Sequence, residues 1–308
     1  MPVGTTFNLP NYTGTIYEIN KPNAKFLSAI GGLNKIEPIS NKIFEITTYE
    51  LGSDDSNPAN TEGQDAPAST VYGRSGIINV LEIFHQTVEV SYTKQGATQH
   101  LATQGIGGES NVENEMDWQV EQTLKKLARR INYQFINGTF QKPSDNSQPR
   151  RTRGIIQAAA HVVDASGSAL SSALIEELVK KIWDSGGLDD EETAVILCNS
   201  TQKIKLDRIY GKPEDSVTVG GVKLERIYTP LLTLAVMVDK HVPQDVLLIL
   251  SLNKIKIKGL EIPGKGIVFE EPLAKTGASD RTQIYGELGL DHGPGEAHGK
   301  IINLDTSL

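Results

Sequence analysis

Cysteine is almost missing from this chain: Cys198 stands alone in 308 residues, so no intramolecular disulfide staples the fold. It closes the apolar run TAVILC (193–198), a setting that makes it a small buried hydrophobe rather than a reactive thiol. Aromatic residues are scarce at 6% and hydrophobic residues reach only 38%, so the core is small for the surface it must carry. A chain with that balance is expected to be extended, or to bury surface against partners. No apolar run approaches the ~20 residues that span a bilayer. The opening MPVGTTFNLPNYTGTIYEINKP has neither the basic start nor the apolar centre of a secretory signal, so synthesis in the cytosol is expected. For the same reason the glycosylation triplets at Asn11, Asn137 and Asn199 carry little weight. An excess of positive charge is lacking as well: 30 basic residues face 38 acidic ones, a net charge of −8. Such a chain repels nucleic acid overall and gains nothing from counterion release, which argues against sequence-specific DNA binding.

What is present falls into distinct segments. Residues 1–40 show no sustained periodicity and hold several Pro, Gly and Asn residues, so they read as an arm. Strand-like patches follow at 42–51 and 77–93, rich in β-branched and aromatic residues. Between them lies GSDDSNPANTEGQDAPAST, a polar stretch too long for a compact domain, which fits a projecting loop on a two-stranded stem. From Val112 to Ile136 the residues Val112, Met116, Val120, Leu124, Leu127, Ile131 and Phe135 recur at steps of four or three. That spacing predicts one amphipathic helix roughly 37 Å long. Ser110 or Asn111 is placed to cap its start and Asn137-Gly138 to end it. Acidic Glu113, Glu115 and Asp117 near the start, and basic Lys125, Lys126, Arg129 and Arg130 further on, are expected to complement the helix dipole.

The polar linker QKPSDNSQPRRTRG (141–154) then marks a boundary. Beyond it short elements alternate: an amphipathic helix at 173–185 whose apolar face includes Trp183, a buried strand at 193–198, and a second helix capped by Asn199 or Ser200. A hairpin turns at Gly220-Gly221, and strands are expected at 232–239, 246–250, 253–259, 281–290 and 298–304. The fold class is α+β with mixed sheet, and no internal repeat is present.

No constellation for chemistry emerges. The chain has no Gly-x-Ser-x-Gly elbow, no Cys-x-x-Cys and no His-Glu-x-x-His. GLEIPGKG (259–266) has the glycine and lysine spacing of a phosphate loop, but Gly266 stands where a Mg²⁺-binding hydroxyl is needed and Pro263 interrupts it. A turn between strands is expected there. DHGPGEAHGK (291–300) gathers Asp291, His292, Glu296 and His298, a donor set a metal could use, but nothing in the spacing aims the side chains together, and a glycine-rich turn before the final strand is expected. His85 and His241 lie in or beside apolar runs and read as satisfied core or interface groups. Arg150, Arg151 and Arg153 form a short basic run that is by default a solvated cluster, and otherwise a contact for DNA or a neighbour's carboxylates. No cofactor is expected.

The order of these parts resembles the Hong Kong 97-type capsid fold, and the details resemble the phage SU-ten-like subgroup of tailed-phage major capsid proteins. Three segments carry the likeness. They are the loop TEGQDAPASTVYGRSGIINVLEIFHQTVEVS, the long helix with its RTRGI ending (151–155), and the pair VGGVKLERIYTPLLTLAVMVDKHVPQDVLLIL and PLAKTGASDRTQIYGELGLDHGPGEAHGKIINL. The resemblance implies an N-terminal arm at 1–40 and an E-loop with its stem at 41–100. A peripheral domain at 101–154 would hold the spine helix 112–136, followed by an axial domain at 155–270 and C-terminal strands at 271–308 returning to the peripheral domain. It implies a non-enzymatic shell subunit that assembles with itself, through pentamers and hexamers, into an icosahedral virion shell enclosing double-stranded DNA. Assembly is expected in the host cytoplasm, with scaffold, portal and decoration proteins as further partners and no membrane. From the Met1 start no long N-terminal scaffolding segment is expected, and therefore either a separate scaffold protein or assembly without one. The candidate inter-subunit contacts are Asp54, Asp55, Glu62 and Asp65 on the loop, with Arg150, Arg151 and Arg153. No motif places the covalent cross-link known in the fold's namesake. The competing expectations are an encapsulin-like nanocompartment shell and, from a different class, a metal-dependent enzyme using His292, Glu296 and His298.

Overall fold

The computed structural model describes residues 24–49, 61–63, 65, 72–96, 114–145, 147–211, 215–219 and 221–307. Along the chain, α1 (Lys25–Ala29) leads into β1 (Ile36–Ile39), β2 (Ile43–Tyr49), β3 (Arg74–Val80) and β4 (Glu82–Ser91), then the long α2 (Glu115–Asn137) and a single turn, α3 (Ile155–Ala158). There follow β5 (His161–Asp164), α4 (Ser172–Asp184), β6 (Ala194–Cys198), α5 (Ser200–Tyr210), β7 (Ser216–Val219), β8 (Val222–Tyr228) and β9 (Thr233–Val238). The last third is mostly strand: β10 (Leu247–Ser251), β11 (Lys256–Leu260), β12 (Val268–Pro272), β13 (Ser279–Asp291) and β14 (His298–Ile302). The α+β class read from the sequence is the one observed.

Strands buried on both faces read as unbroken apolar runs. β6 and β10, buried at every position, are such strands and pair at the centre of a seven-stranded sheet ordered β5-β14-β10-β6-β9-β8-β7. Alternate residues feed two cores. Val195, Leu197, Leu248 and Leu250 point to one core with α1, α2 and a second sheet, while Ile196, Cys198, Leu247 and Ile249 point to another under α4 and α5. The second sheet has five strands and is built on the thirteen-residue β13. One edge of β13 pairs with β4 over Ser279–Leu288; the other takes β12 at Thr282–Gly286 and then β11 at Leu288–Asp291. β1 adds in parallel to β11, and β2 with β3 forms a separate two-stranded ribbon.

Four expectations change. The patch 77–93 is two strands, broken at Leu81, whose N–H donates to Lys42 while β3 turns off to pair with β2. Residues 271–308 do not return together: β13 joins β4, but β14 pairs with β10 and β5 in the seven-stranded sheet. Conversely β11 and β12, from the 155–270 span, lie in the five-stranded sheet. Burial explains the sorting, since β14 is mostly buried whereas β11 alternates and suits a sheet with one open face. On α4, Trp183 is 56% exposed. It falls a quarter-turn or so off the stripe of Ile175, Leu178, Val179 and Ile182, on the flank of the buried face.

The long helix is capped by Asn114, whose side chain accepts from the Met116 N–H at 3.0 Å; Ser110, Asn111 and Val112 lie outside the described residues. Val120, Leu127, Ile131 and Phe135 are buried as the spacing predicts, while Leu124 stays 38% exposed at the centre of the stripe. The basic residues expected to complement the dipole stop short of the last turn, where the field matters. Two of them meet neighbours instead: Lys125 pairs with Glu121 on the exposed side of the helix, and Arg130 lies over the Phe84 ring. After Gly138 the linker folds back on the helix end. Gly154 donates to the Gly138 carbonyl at 2.8 Å, and a Cβ on Gly154 would meet the Gly138 nitrogen at 2.5 Å.

Because β4 begins only at Glu82, the β13 edge has no strand beside it at Leu290. Two side chains take the strand's place. Thr152 Oγ1 accepts from the Leu290 N–H at 3.1 Å, and the Asn79 amide donates to the Leu290 carbonyl at 2.7 Å. Asn79 Oδ1 also accepts from the Arg153 N–H at 2.8 Å, so the stem, the linker and β13 meet on one buried amide. Replacing Thr152 by Val is expected to strand the Leu290 N–H and cost about 1–3 kcal/mol in urea unfolding of the unassembled subunit, while Thr152→Ser costs much less. Equal costs for both would show that the hydroxyl does not carry the joint.

Candidate functional site

A ribbon of two strands buries little by itself. In β2–β3 only Ile46, Asn79 and Val80 are buried, while Tyr49 and, just before β3, Tyr72 stay more than half exposed. Of the loop carboxylates, Glu62 and Asp65 are exposed. Asp54 and Asp55 lie outside the described residues.

The basic run is not a solvated cluster. Arg150 reaches Glu287 at 2.9 Å with both side chains largely covered, and Tyr285 donates to the other Glu287 oxygen at 2.7 Å. Burial and that carboxylate push the Tyr285 phenol up to about 12. Arg153 stacks over Phe140 with 5.0 Å to the ring centre. Arg151 alone of the three is exposed. Glu82, buried under α2, accepts weakly from the Thr152 N–H, and burial raises its pKa.

One face of the five-stranded sheet is covered by α2; the other carries a row of rings. Phe269 lies opposite Tyr285, and Tyr285 opposite His85, with centroids 5.7 Å and 5.8 Å apart. His85 is therefore exposed on the open face rather than in the core, with Ile83 exposed on the same strand. On the other body, Tyr228 and Leu231 are exposed at the β8–β9 turn, beside a groove of about 430 Å³ lined by Ala173, Glu176, Lys180 and Pro230.

The residues of the metal-like segment do not converge. Glu296 is exposed, whereas His292 and His298 are fully buried. His298 spends both ring nitrogens inside the fold: Nδ1 accepts from the Ser251 N–H at 3.3 Å and Nε2 donates to the His292 carbonyl at 2.7 Å. Among the described residues, no group of three His, Cys, Asp or Glu side chains is gathered to hold a metal. GLEIPGKG is the turn between β11 and β12, closed by a bridge between Ile262 and Gly266. Burial pushes the Cys198 thiol up to about 12, so it is inert.

Sequence reasoning missed Asn132 and Asp239, both fully buried. Asn132 Nδ2 donates to Asp239 at 2.9 Å, and the two accept from the first N–H groups of α1: Leu27 to Asn132 at 2.8 Å, Phe26 to Asp239 at 3.3 Å. The signal was faint: Asn132 lies roughly a quarter-turn off the stripe that ends at Phe135, and the burial of Ile136 beyond it brings the amide inside, where it must find partners.

This architecture is a shell fold of the Hong Kong 97 type. It matches the Cyanophage A-1(L) capsid at a TM-score of 0.70 with 14% identity, covering 97% of this chain and 98% of that one. It matches the capsid of Myoviridae phage XM1 at 0.57 and 11%, covering 98% and 99%. The holo-SrpI encapsulin of Synechococcus elongatus PCC 7942 matches at 0.62 and 13%, covering 97% and 94%. At these identities the likeness establishes the fold. The family model described as SU10 major capsid protein matches residues 2–305, so the chain belongs to that family and is a capsid shell protein. Among curated proteins none matches.

Burial holds the His298 imidazole down to about 4, against 6.5 when unfolded. A lowered histidine contributes nothing adverse above 6.5 and costs stability as pH falls towards the folded value. The subunit is therefore expected to lose about 3 kcal/mol from this group between pH 6.5 and pH 3.5. Urea unfolding should show a shallower acid slope for His298→Asn; an unchanged slope would mean the ring does not titrate as its burial requires.

Proposed function

We propose that this chain self-assembles through pentamers and hexamers into the icosahedral head shell that encloses the double-stranded DNA of a tailed phage, and that it catalyses nothing. The observation that carries this is the match of a phage major capsid family over almost the whole chain. An encapsulin-like nanocompartment shares only the fold likeness. Residues 1–40 act as the arm, 41–100 as the E-loop with its stem, and α2 as the spine of a peripheral domain. The seven-stranded sheet with α4 and α5 forms the axial domain. The loop lies over an adjacent subunit, where Asp54, Asp55, Glu62 and Asp65 supply rim contacts and Arg151 is the exposed basic partner; Arg150 and Arg153 work mainly inside their own subunit. Scaffold, portal and decoration proteins are the further partners, assembly takes place in the host cytoplasm, and the acidic shell holds DNA without gripping it.

Holding each subunit by many modest contacts makes later contacts effectively intramolecular, so the shell gains avidity without any one strong interface. Negative-stain microscopy with sedimentation is expected to show closed shells, or rings of five and six, for the whole chain. Deleting residues 53–66 should leave a subunit with an unchanged unfolding midpoint that closes no shells. Normal shells from the deletion would remove the loop from the assembly contacts.

A further inference from the structure

The start of the described chain is anchored at one buried polar site, and a histidine sits on it. Asn132 Oδ1 can face only a donor, because its partner is the Leu27 N–H. Its Nδ2 therefore points the other way, donating to Asp239 at 2.9 Å and to His241 Nδ1 at 2.7 Å. For Nδ1 to accept, His241 must be neutral with its proton on Nε2. Asp239 is fully enclosed by this arrangement: its oxygens take the Phe26 N–H at 3.3 Å, the Asn132 amide, and the main-chain N–H of His241 at 2.9 Å. The imidazole is also fixed from outside, edge-on to Tyr133 at 5.9 Å, and the Asn137 amide donates to the His241 carbonyl at 2.7 Å.

A proton on Nδ1 sets two N–H donors against each other across 2.7 Å. The amide has two ways out. It turns over, which takes Oδ1 from Leu27 and offers that N–H another donor, or it backs away from Asp239. The first takes the acceptor from Leu27 and the second loosens the amide that supplies it, so both weaken the polar anchor of α1, whose other hold is the burial of Phe26, Leu27, Ala29 and Ile30. We propose that His241 is a proton-sensitive catch on α1, and that its protonation releases the Lys25–Ala29 helix from α2 and the end of β9.

The charges around the ring divide. Asp239 Oδ1, 3.3 Å from Nδ1, favours the proton, while Arg129 on α2 and the neighbouring Lys240 oppose it. Burial outweighs Asp239, and the pKa lies below the ordinary 6.5. The catch is thus closed above that value and opens as pH falls through the lowered one. It does not depend on shell assembly, so it is tested on the subunit alone.

The experiment is hydrogen–deuterium exchange of residues 24–31 from pH 7.5 to 4.5, corrected for intrinsic rates, with β6 and β10 as internal controls. Wild type should keep α1 protected at neutral pH and lose protection by up to about tenfold per pH unit below the shifted value, while the controls hold. His241→Asn, whose Oδ1 accepts where Nδ1 did but does not titrate, should keep α1 protected throughout. Equal acid dependence in both proteins would overturn the proposal. Should the variant not fold, wild type alone decides, because flat protection of 24–31 overturns it too.

Discussion

A sheet that is apolar on both faces must be covered on both, and the rest of this subunit is arranged around that requirement. β6 and β10 leave no residue exposed, so α4 and α5 close one side while α2, α1 and the five-stranded sheet close the other. Burying a strand's side chains this completely is worth on the order of 2 kcal/mol per large residue. It also forces polar groups at the seams of the layers to find partners inside. Asn132 and Asp239 lie at one seam, and Asn79 with Thr152 at another. The fold is therefore held by apolar layers and registered by a few buried amides, each of which has only one set of partners it can satisfy.

That division of labour suits a shell subunit. Apolar burial is non-directional and tolerates small shifts, whereas an unmatched buried amide costs its full desolvation. The seams fix which segment meets which without adding rigidity everywhere. On the proposed assembly the exposed groups follow a different logic: Tyr49, Tyr72, Tyr228 and Leu231 belong to the ribbon or to a strand turn, elements with little core beneath them, where a neighbouring copy supplies the missing layer.

Much of this was legible in the residues, and the failures have physical causes. Val120, Leu127, Ile131 and Phe135 announced the long helix because a 3.6-residue period has few other readings, and TAVILC announced a strand buried on both faces. Sorting strands between sheets was not legible, since β11 and β14 are short and their partners lie far away in the chain. Nor was the use of charge: Arg150 reads as solvated beside Pro149 and Arg151, yet Glu287, which neutralises it, arrives from a strand 137 residues later. The metal-like segment was read as a turn rather than a site on related grounds. His292, Glu296 and His298 are close in sequence, but the direction of each side chain is set by a turn whose geometry the letters do not carry.

The break at Leu81 shows how one local departure places the segment most exposed to neighbours. If β3 and β4 ran on as one strand, β13 would pair with main chain to its end and the ribbon would continue the five-stranded sheet. Instead Leu81 turns to Lys42, β3 leaves with β2, and the vacated edge at Leu290 is closed by the side chains of Thr152 and Asn79. Side-chain bonds of about 1 kcal/mol each replace a ladder that would have fixed the angle between ribbon and sheet. The ribbon is thus attached firmly at its root and weakly in direction. A two-stranded ribbon in that condition has no reason to hold one angle by its own packing, and on the proposed assembly the subunit beneath it sets that angle.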